Sequence, residues 1–119
     1  MNNKKIGTDF ERDFVKLLAT EGFWAHFIAP DRRGAQPFDV IAAKDGTAFA
    51  FDCKTCASET FSIDRLEDNQ IAAFERWMAC GNMDPYIAIK HRDGIYLLPY
   101  SVLKRRHRIK VKEALRIDD

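Results

Sequence analysis

The sequence predicts an α/β domain: one central mixed β-sheet flanked by helices, with a core in the order α-β-β-β-α-β-β. Three observations carry that reading. Two segments repeat their apolar residues at the helical period. Two Asp-Gly pairs, Asp45-Gly46 and Asp93-Gly94, each separate runs of strand-like residues. Helical and strand-like segments also alternate along the chain, which favours helices packed on a sheet over an all-α or all-β arrangement.

The first helix is expected over residues 7–21, capped by Thr8 or Asp9 and closed by Gly22. With Phe10 as origin and 100° per residue, Leu17, Phe10, Phe14, Leu18 and Val15 fall between about −20° and about 140°. Glu11 falls at about 100°, inside that apolar stripe. A carboxylate there is costly unless something compensates it.

Residues 23–29 read as a strand, and residues 30–36 as a polar loop carrying Arg32-Arg33. Residues 37–43 and 47–55 read as two strands joined across Asp45-Gly46. Residues 56–63 are polar and loop-like. Asp64 is expected to cap a second helix, with Glu67 three residues on, running to Cys80 and ending at Gly81. Its apolar stripe holds Ile71, Ala73, Phe74, Trp77 and Met78, and Gln70 again falls inside the stripe. Residues 85–90 and 95–98 form a second hairpin. A short helix starts at Pro99-Tyr100-Ser101 and leads into a basic segment over about residues 100–119.

The chain has 119 residues, one ordinary domain with one hydrophobic core. The three cysteines are scattered and odd in number, which suits a reducing, cytoplasmic setting better than a disulfide framework. Met1-Asn2-Asn3-Lys4-Lys5 leads into no apolar run, so neither a signal peptide nor a membrane partner is read. The formal net charge is only +1, so any polyanion partner must be argued from where the charges sit.

The chemistry gathers on the first hairpin. If Asp45-Gly46 is a two-residue loop, Lys44 faces Thr47, and counting back along both strands Asp39 faces Asp52. Their Cβ atoms would stand ~5 Å apart, with Lys54 on the same face. Facing like charges destabilise a hairpin unless they are neutralised. Two carboxylates so placed can share a divalent cation, and oxygen-only ligands favour Mg²⁺ or Mn²⁺. Glu11 is the third candidate carboxylate. An ammonium such as that of Lys54 can position a water and stabilise charge on a phosphate. The implied reaction is metal-assisted hydrolysis of a phosphodiester.

The bland reading of these residues is a structural Asp–Lys ion pair on a solvated strand. The apolar neighbours of Asp39 and Asp52 weigh against it. Cys53-x-x-Cys56 falls short of a zinc site, since only Cys80 and His91 could supply the missing ligands and Cys53 belongs on the opposite sheet face from the carboxylates. Lys4-Lys5, Arg32-Arg33 and the run Lys104, Arg105, Arg106, Arg108, Lys110 and Lys112 can track a phosphate backbone despite the low net charge. No base-reading motif is present, so recognition of DNA shape is expected.

Asp39 followed by Asp52-x-Lys54 a short hairpin later, with a glutamate on the preceding helix, resembles the PD-(D/E)XK (restriction-endonuclease-like) nuclease signature. Gly7-Thr8-Asp9-Phe10-Glu11-Arg12 opening a helix, and Gln70 on the second helix, are most similar to Holliday-junction resolvases. The literal Pro-Asp pair is absent, because Phe38 separates Pro37 from Asp39. The resemblance implies that Asp39, Asp52 and the Cys53 backbone carbonyl ligate the metal and that Glu11 completes the site. It implies that Lys54 orients or activates the water and that Gln70 supports the site or contacts the scissile phosphate. A single nuclease domain over residues 1–119 acting on branched DNA as a homodimer is then expected. The alternatives are a restriction-like or repair nuclease on linear or single-stranded DNA, and a non-catalytic nucleic-acid-binding module.

Overall fold

The computed structural model describes residues 3–29 and 36–119, with side chains from residue 9 onward. The chain runs through α1 (Asn3–Thr20), β1 (Trp24–Phe27), β2 (Val40–Lys44), β3 (Thr47–Thr55), β4 (Thr60–Ser62) and a 3₁₀ turn (Ile63–Arg65). It continues through α2 (Asp68–Ala79), β5 (Tyr86–His91), β6 (Gly94–Pro99), α3 (Tyr100–Arg106), β7 (Arg108–Lys110), a second 3₁₀ turn (Val111–Glu113) and β8 (Leu115–Arg116). The main sheet has the order β1-β2-β3-β5-β6-β8, and β4 and β7 form a separate two-stranded ribbon. β3 and β5 pair in parallel while the other neighbours are antiparallel, so the sheet is mixed as the sequence predicts.

The first hairpin forms in the expected register, Lys44 facing Thr47 and Val40 facing Phe51. Asp45 and Gly46 both take positive φ, 52° and 78°, the conformation of a type I′ turn that matches strand twist. Gly22 ends α1 at φ 89°, with its N–H donating to Ala19 and that of Phe23 to Leu18, a Schellman closure.

Two layers cover the sheet. On one face Phe10, Phe14 and Leu18 of α1 pack on Val40, Ala42, Phe51 and Ala88. On the other, Phe74 of α2 and Tyr100 and Leu103 of α3 pack on Ala50, Ile87, Ile89 and Leu98. Strand alternation therefore turns Phe51 and Cys53 toward α1, and Ala50, Asp52 and Lys54 toward α2. Phe38 locks the entry to β2 by stacking on Phe74, ring centroids 5.7 Å apart, and meeting Trp77 edge-on at 5.4 Å.

Several boundaries differ from expectation. α1 begins at Asn3, so Thr8 and Asp9 lie inside the helix and do not cap it. Gly7 is tolerated there because one glycine costs a helix only about 1 kcal/mol. Asp64 belongs to the 3₁₀ turn, and α2 is capped at Glu67 instead. Residues 60–62 are a strand because Phe61, fully buried, opposes Ile109 of β7 in a pairing that no local pattern announces. β1 and β2 are shorter than their apolar runs. The segment after Arg108, amphipathic in sequence, becomes the ribbon partner β7, a turn and the edge strand β8. Arg32 and Arg33 lie outside the described residues, as do the side chains of Lys4 and Lys5.

Candidate active site

The site lies where β2 and β3 part. Regular pairing ends at Val40 and Phe51, and Asp39 is not the simple cross-strand partner of Asp52 that the hairpin count predicts. The Asp39 N–H donates to the Phe51 carbonyl at 3.0 Å while its own carbonyl accepts from the Ile28 N–H at 2.8 Å. Its two backbone groups thus point to opposite neighbouring strands, which a regular strand residue cannot do. This local bulge re-aims the side chain. Asp39 Oδ2 accepts from the Cys53 N–H at 2.8 Å.

That bond also fixes the Cys53 carbonyl. Phe51 presents its carbonyl to the β2 edge, and so must Cys53 two residues on, with its N–H and carbonyl on that same edge. The carbonyl lies on the edge that Asp39 faces. The Cys53 side chain packs in the α1-side cluster. Burial, followed by the charges of Asp39, Glu11 and Asp52, pushes its thiol well above the usual range, so the group stays a neutral small side chain.

Asp52 is 2% exposed, the one buried carboxylate among the described residues. Its Oδ1 accepts from Gln70 Nε2 at 3.2 Å. Its Oδ2 is buried with no hydrogen-bond partner, and the Lys54 ammonium stands 3.5 Å away. Burial first, then the adjoining Asp39 carboxyl, holds the Asp52 pKa well above the usual carboxylate range, and Lys54 opposes the shift only in part.

Glu11 reaches the site from the α1 layer, half-buried at the border of the apolar stripe. Its pKa is pushed up to about 7 by burial and by the charge of Asp39, against the opposing pull of Lys54. The three carboxylates therefore come from two layers on opposite faces of the sheet and approach the gap between β2 and β3, Asp39 beside Asp52 and Glu11 near enough to feel the charge of Asp39. Among the described residues, no three His, Cys, Asp or Glu side chains stand close enough to form a ready-made metal cage.

Gln70 ties the group together from the first turn of α2. Its Oε1 accepts from the Glu67 N–H at 2.8 Å, which caps the helix, and from Lys54 Nζ at 3.2 Å. Its Nε2 donates to Asp52. One amide thereby fixes the helix start, the lysine and the carboxylate. The polar residue in the apolar stripe of α2 is explained by this geometry.

Sequence reasoning missed Arg65. Its Nη2 donates to the Thr55 carbonyl at 2.9 Å, one residue beyond Lys54, and its guanidinium lies 5.3 Å from the Phe61 ring centre. The signal that places it is the β4–β7 ribbon, which is itself hidden from local pattern. Of the expected basic run, Lys104 pairs with Glu75 and Arg106 with Glu113. Arg108 and Lys110 stand exposed on the ribbon, on the side away from buried Ile109.

The donor set suits a divalent cation: a buried carboxylate oxygen without a hydrogen bond, a second carboxylate beside it, a backbone carbonyl on the same edge and a third carboxylate nearby. Mg²⁺ is commonly held by one or two carboxylates plus waters and substrate oxygens, so a closed cage is not required.

A family model of the archaeal Holliday junction resolvase (Hjc) matches residues 2–119. The crossover junction endodeoxyribonuclease Hjc of Methanocaldococcus jannaschii is 32% identical over 95 residues, 79% of this chain and 66% of that protein. The crossover junction endodeoxyribonuclease Hje of Saccharolobus islandicus is 28% identical over 93 residues, 76% of this chain and 67% of that protein. The chain thus spans about two thirds of the length of these relatives. In fold it is similar to Archaeoglobus fulgidus Hjc, a Holliday junction resolvase from an archaeal hyperthermophile, with a TM-score of 0.71 at 24% identity, covering 92% of this chain and 93% of that one. The carboxylate–lysine gap between β2 and β3 sits in a chain that matches one family from near its first residue to its last, and the chain belongs to the archaeal Holliday junction resolvase (Hjc) family.

Proposed function

We propose that this chain is a divalent-metal-dependent endonuclease that hydrolyses phosphodiester bonds in branched DNA, resolving four-way junctions. The observation that carries the reading is the buried, unpartnered Asp52 Oδ2 beside Asp39 and Lys54, an arrangement costly in a merely structural strand.

Asp39, Asp52 and the Cys53 carbonyl would hold Mg²⁺ or Mn²⁺, with Glu11 completing the site directly or through water. A bound cation would supply Lewis-acid stabilisation of the charge that develops on the phosphate oxygens. Lys54, held by Gln70 and Asp52, directs an N–H toward the attacking water and offsets negative charge on the phosphate. Asp52 and Glu11 must both lose their protons before they can ligate a cation, so cation binding releases protons. Gln70 keeps Lys54 and Asp52 at fixed separation and touches no reacting atom.

Arg65, bonded to the Thr55 carbonyl one residue beyond Lys54, and the exposed Arg108 and Lys110 of the ribbon would contact phosphates without reading sequence. Beside the ribbon a cleft of about 420 Å³ is mixed in charge, lined by Arg92, Lys110 and Lys112 but also by Glu59 and Asp93, the latter paired with Lys112 at 3.5 Å. A junction offers two strands to cut, so a symmetric homodimer carrying two sites fits it.

Gln70→Ala removes the cap and both site contacts at once. Loss of such a supporting group is expected to slow cleavage by about 10–100-fold, as for other residues that orient ligands. It should cost about 1 kcal/mol of stability through the lost cap. Single-turnover rates and thermal melts measure the two effects separately.

The reading is tested with a labelled synthetic four-way junction and a matched linear duplex, each with Mg²⁺ and with EDTA. Cleavage of the junction that needs the cation and exceeds cleavage of the duplex is the expected result. Equal cutting of both forms contradicts junction selectivity, and absence of cutting on any DNA contradicts the enzyme.

A further inference from the structure

We propose that Trp24 and His26 form a stacking platform for an unpaired nucleobase of the DNA strand that leads into the active site, an inference resting on the branched-DNA reading above. Trp24 is 64% exposed, a large aromatic surface left in water on a strand. Its ring lies nearly parallel to that of His26, 13° between planes and 6.0 Å between centres. Residues two apart on a strand share a face, so both rings project to one side of β1.

That side is the catalytic one. Trp24 and His26 lie opposite Ala43 and Ile41, and Ile41 packs in the cluster beneath α2, on the face that also carries Asp52 and Lys54. The next residue after β1, Ile28, donates its N–H to the carbonyl of Asp39. From Ile28 back to His26 is ~7 Å and to Trp24 ~13 Å along the strand. These spans match a few nucleotides of a strand whose phosphate rests at the carboxylates.

A second copy of the chain is a poor occupant. Two aromatic side chains offer at most ~500 Å² together, whereas a stable interface takes about 800 Å² from each partner. The flat face of a stacked pair is instead the surface on which bases bind without sequence preference. A continuous duplex hides its base faces, and a branch point exposes them. The platform therefore adds selectivity for branched DNA without any contact to base edges.

The test measures binding of a four-way junction and a matched duplex in EDTA, at one salt concentration, to the wild-type chain, Trp24→Ala and Trp24→Phe. Trp24→Ala should weaken junction binding by about five- to a hundred-fold, the range of base–aromatic stacking, and duplex binding by less than about twofold. Trp24→Phe, which keeps a stacking face, should recover most of the loss. 2-Aminopurine at the branch point should be quenched by the wild-type chain and not by Trp24→Ala. Equal loss on junction and duplex, unchanged junction binding, or a Trp24→Ala chain that changes its oligomeric state in sedimentation would each overturn the platform. Failure of the wild-type chain itself to bind the junction would instead remove the functional reading on which it rests. Far-UV circular dichroism verifies the fold of the variants, which this exposed position should leave intact.

Discussion

Asp52→Asn is expected to abolish cleavage and, in the absence of metal, to make the protein more stable at pH 8. The carboxylate is buried beside Asp39, and one of its oxygens lacks a hydrogen bond. An asparagine keeps an oxygen for Gln70 and gains an N–H that can satisfy Asp39, while removing a charge that burial opposes. The sign follows from proton binding. Both Asp52 and Glu11 hold their protons to higher pH in the folded protein than in the unfolded chain. The folded state therefore binds more protons, and the stability of the metal-free protein falls as pH rises from the ordinary carboxylate range near 4, through about 7 where Glu11 titrates, and beyond as Asp52 follows. Asp52→Asn should flatten that decline and raise the metal-free melting temperature at pH 8 by at least about 4 °C, the shift that about 1 kcal/mol produces in a small domain. Thermal melts from pH 5 to pH 8 in EDTA measure it. A variant that melts lower than the parent at pH 8 would mean that Asp52 is a paired structural charge. In the proposed reaction, function and stability oppose each other at this residue, because the cation that would relieve the repulsion is also the one that cutting would require.

Lys54→Ala should lower the cleavage rate by at least about a thousandfold, the upper part of what one removed electrostatic or positioning group costs. Junction binding should stay within about threefold, because Arg65, Arg108 and Lys110, proposed above as phosphate contacts, are unchanged. Lys54 is held by Gln70 at 3.2 Å and by Asp52 at 3.5 Å, so its ammonium cannot be replaced by another side chain of the described site. Its loss also leaves Asp52 with no opposing charge, and the variant should be less stable than the parent at pH 8, the reverse of Asp52→Asn. Rates near the parent's would remove Lys54 from the reaction. The opposite stability changes of two adjacent loss-of-activity variants separate catalytic failure from general unfolding.

Much of the fold was legible because its elements have strong local signals. Asp45-Gly46 can adopt the two positive-φ conformations of a tight hairpin, and that alone set the register of β2 on β3. Gly22 and Gly81 marked both helix ends, each at positive φ. The ribbon was not legible, because Phe61 and Ile109 find each other across nearly fifty residues and each strand has only three residues. The start of α2 was misread for a related reason. Asp64 and Glu67 have the spacing of a capping box, yet the cap that forms is Glu67 with Gln70.

The site was legible in its membership more than in its geometry. Asp52, Lys54 and Gln70 followed from strand alternation and helix phase, and they meet as expected. Glu11 was marked by a charge in an apolar stripe and enters from the opposite layer of the sheet. Asp39 was placed by counting along a regular hairpin, and the bulge at that residue breaks the count. Its carboxylate still reaches the site through the Cys53 N–H, a bond set by the end of β2 and not by side-chain pattern.

The most direct test of the account is calorimetric titration of Mn²⁺ into the wild-type chain and Asp52→Asn at pH 6 and pH 8, without DNA. Binding should tighten from pH 6 to pH 8 with release of protons, and should be lost in Asp52→Asn. Equal binding to both proteins, or binding independent of pH, would contradict a divalent-cation site built on Asp52.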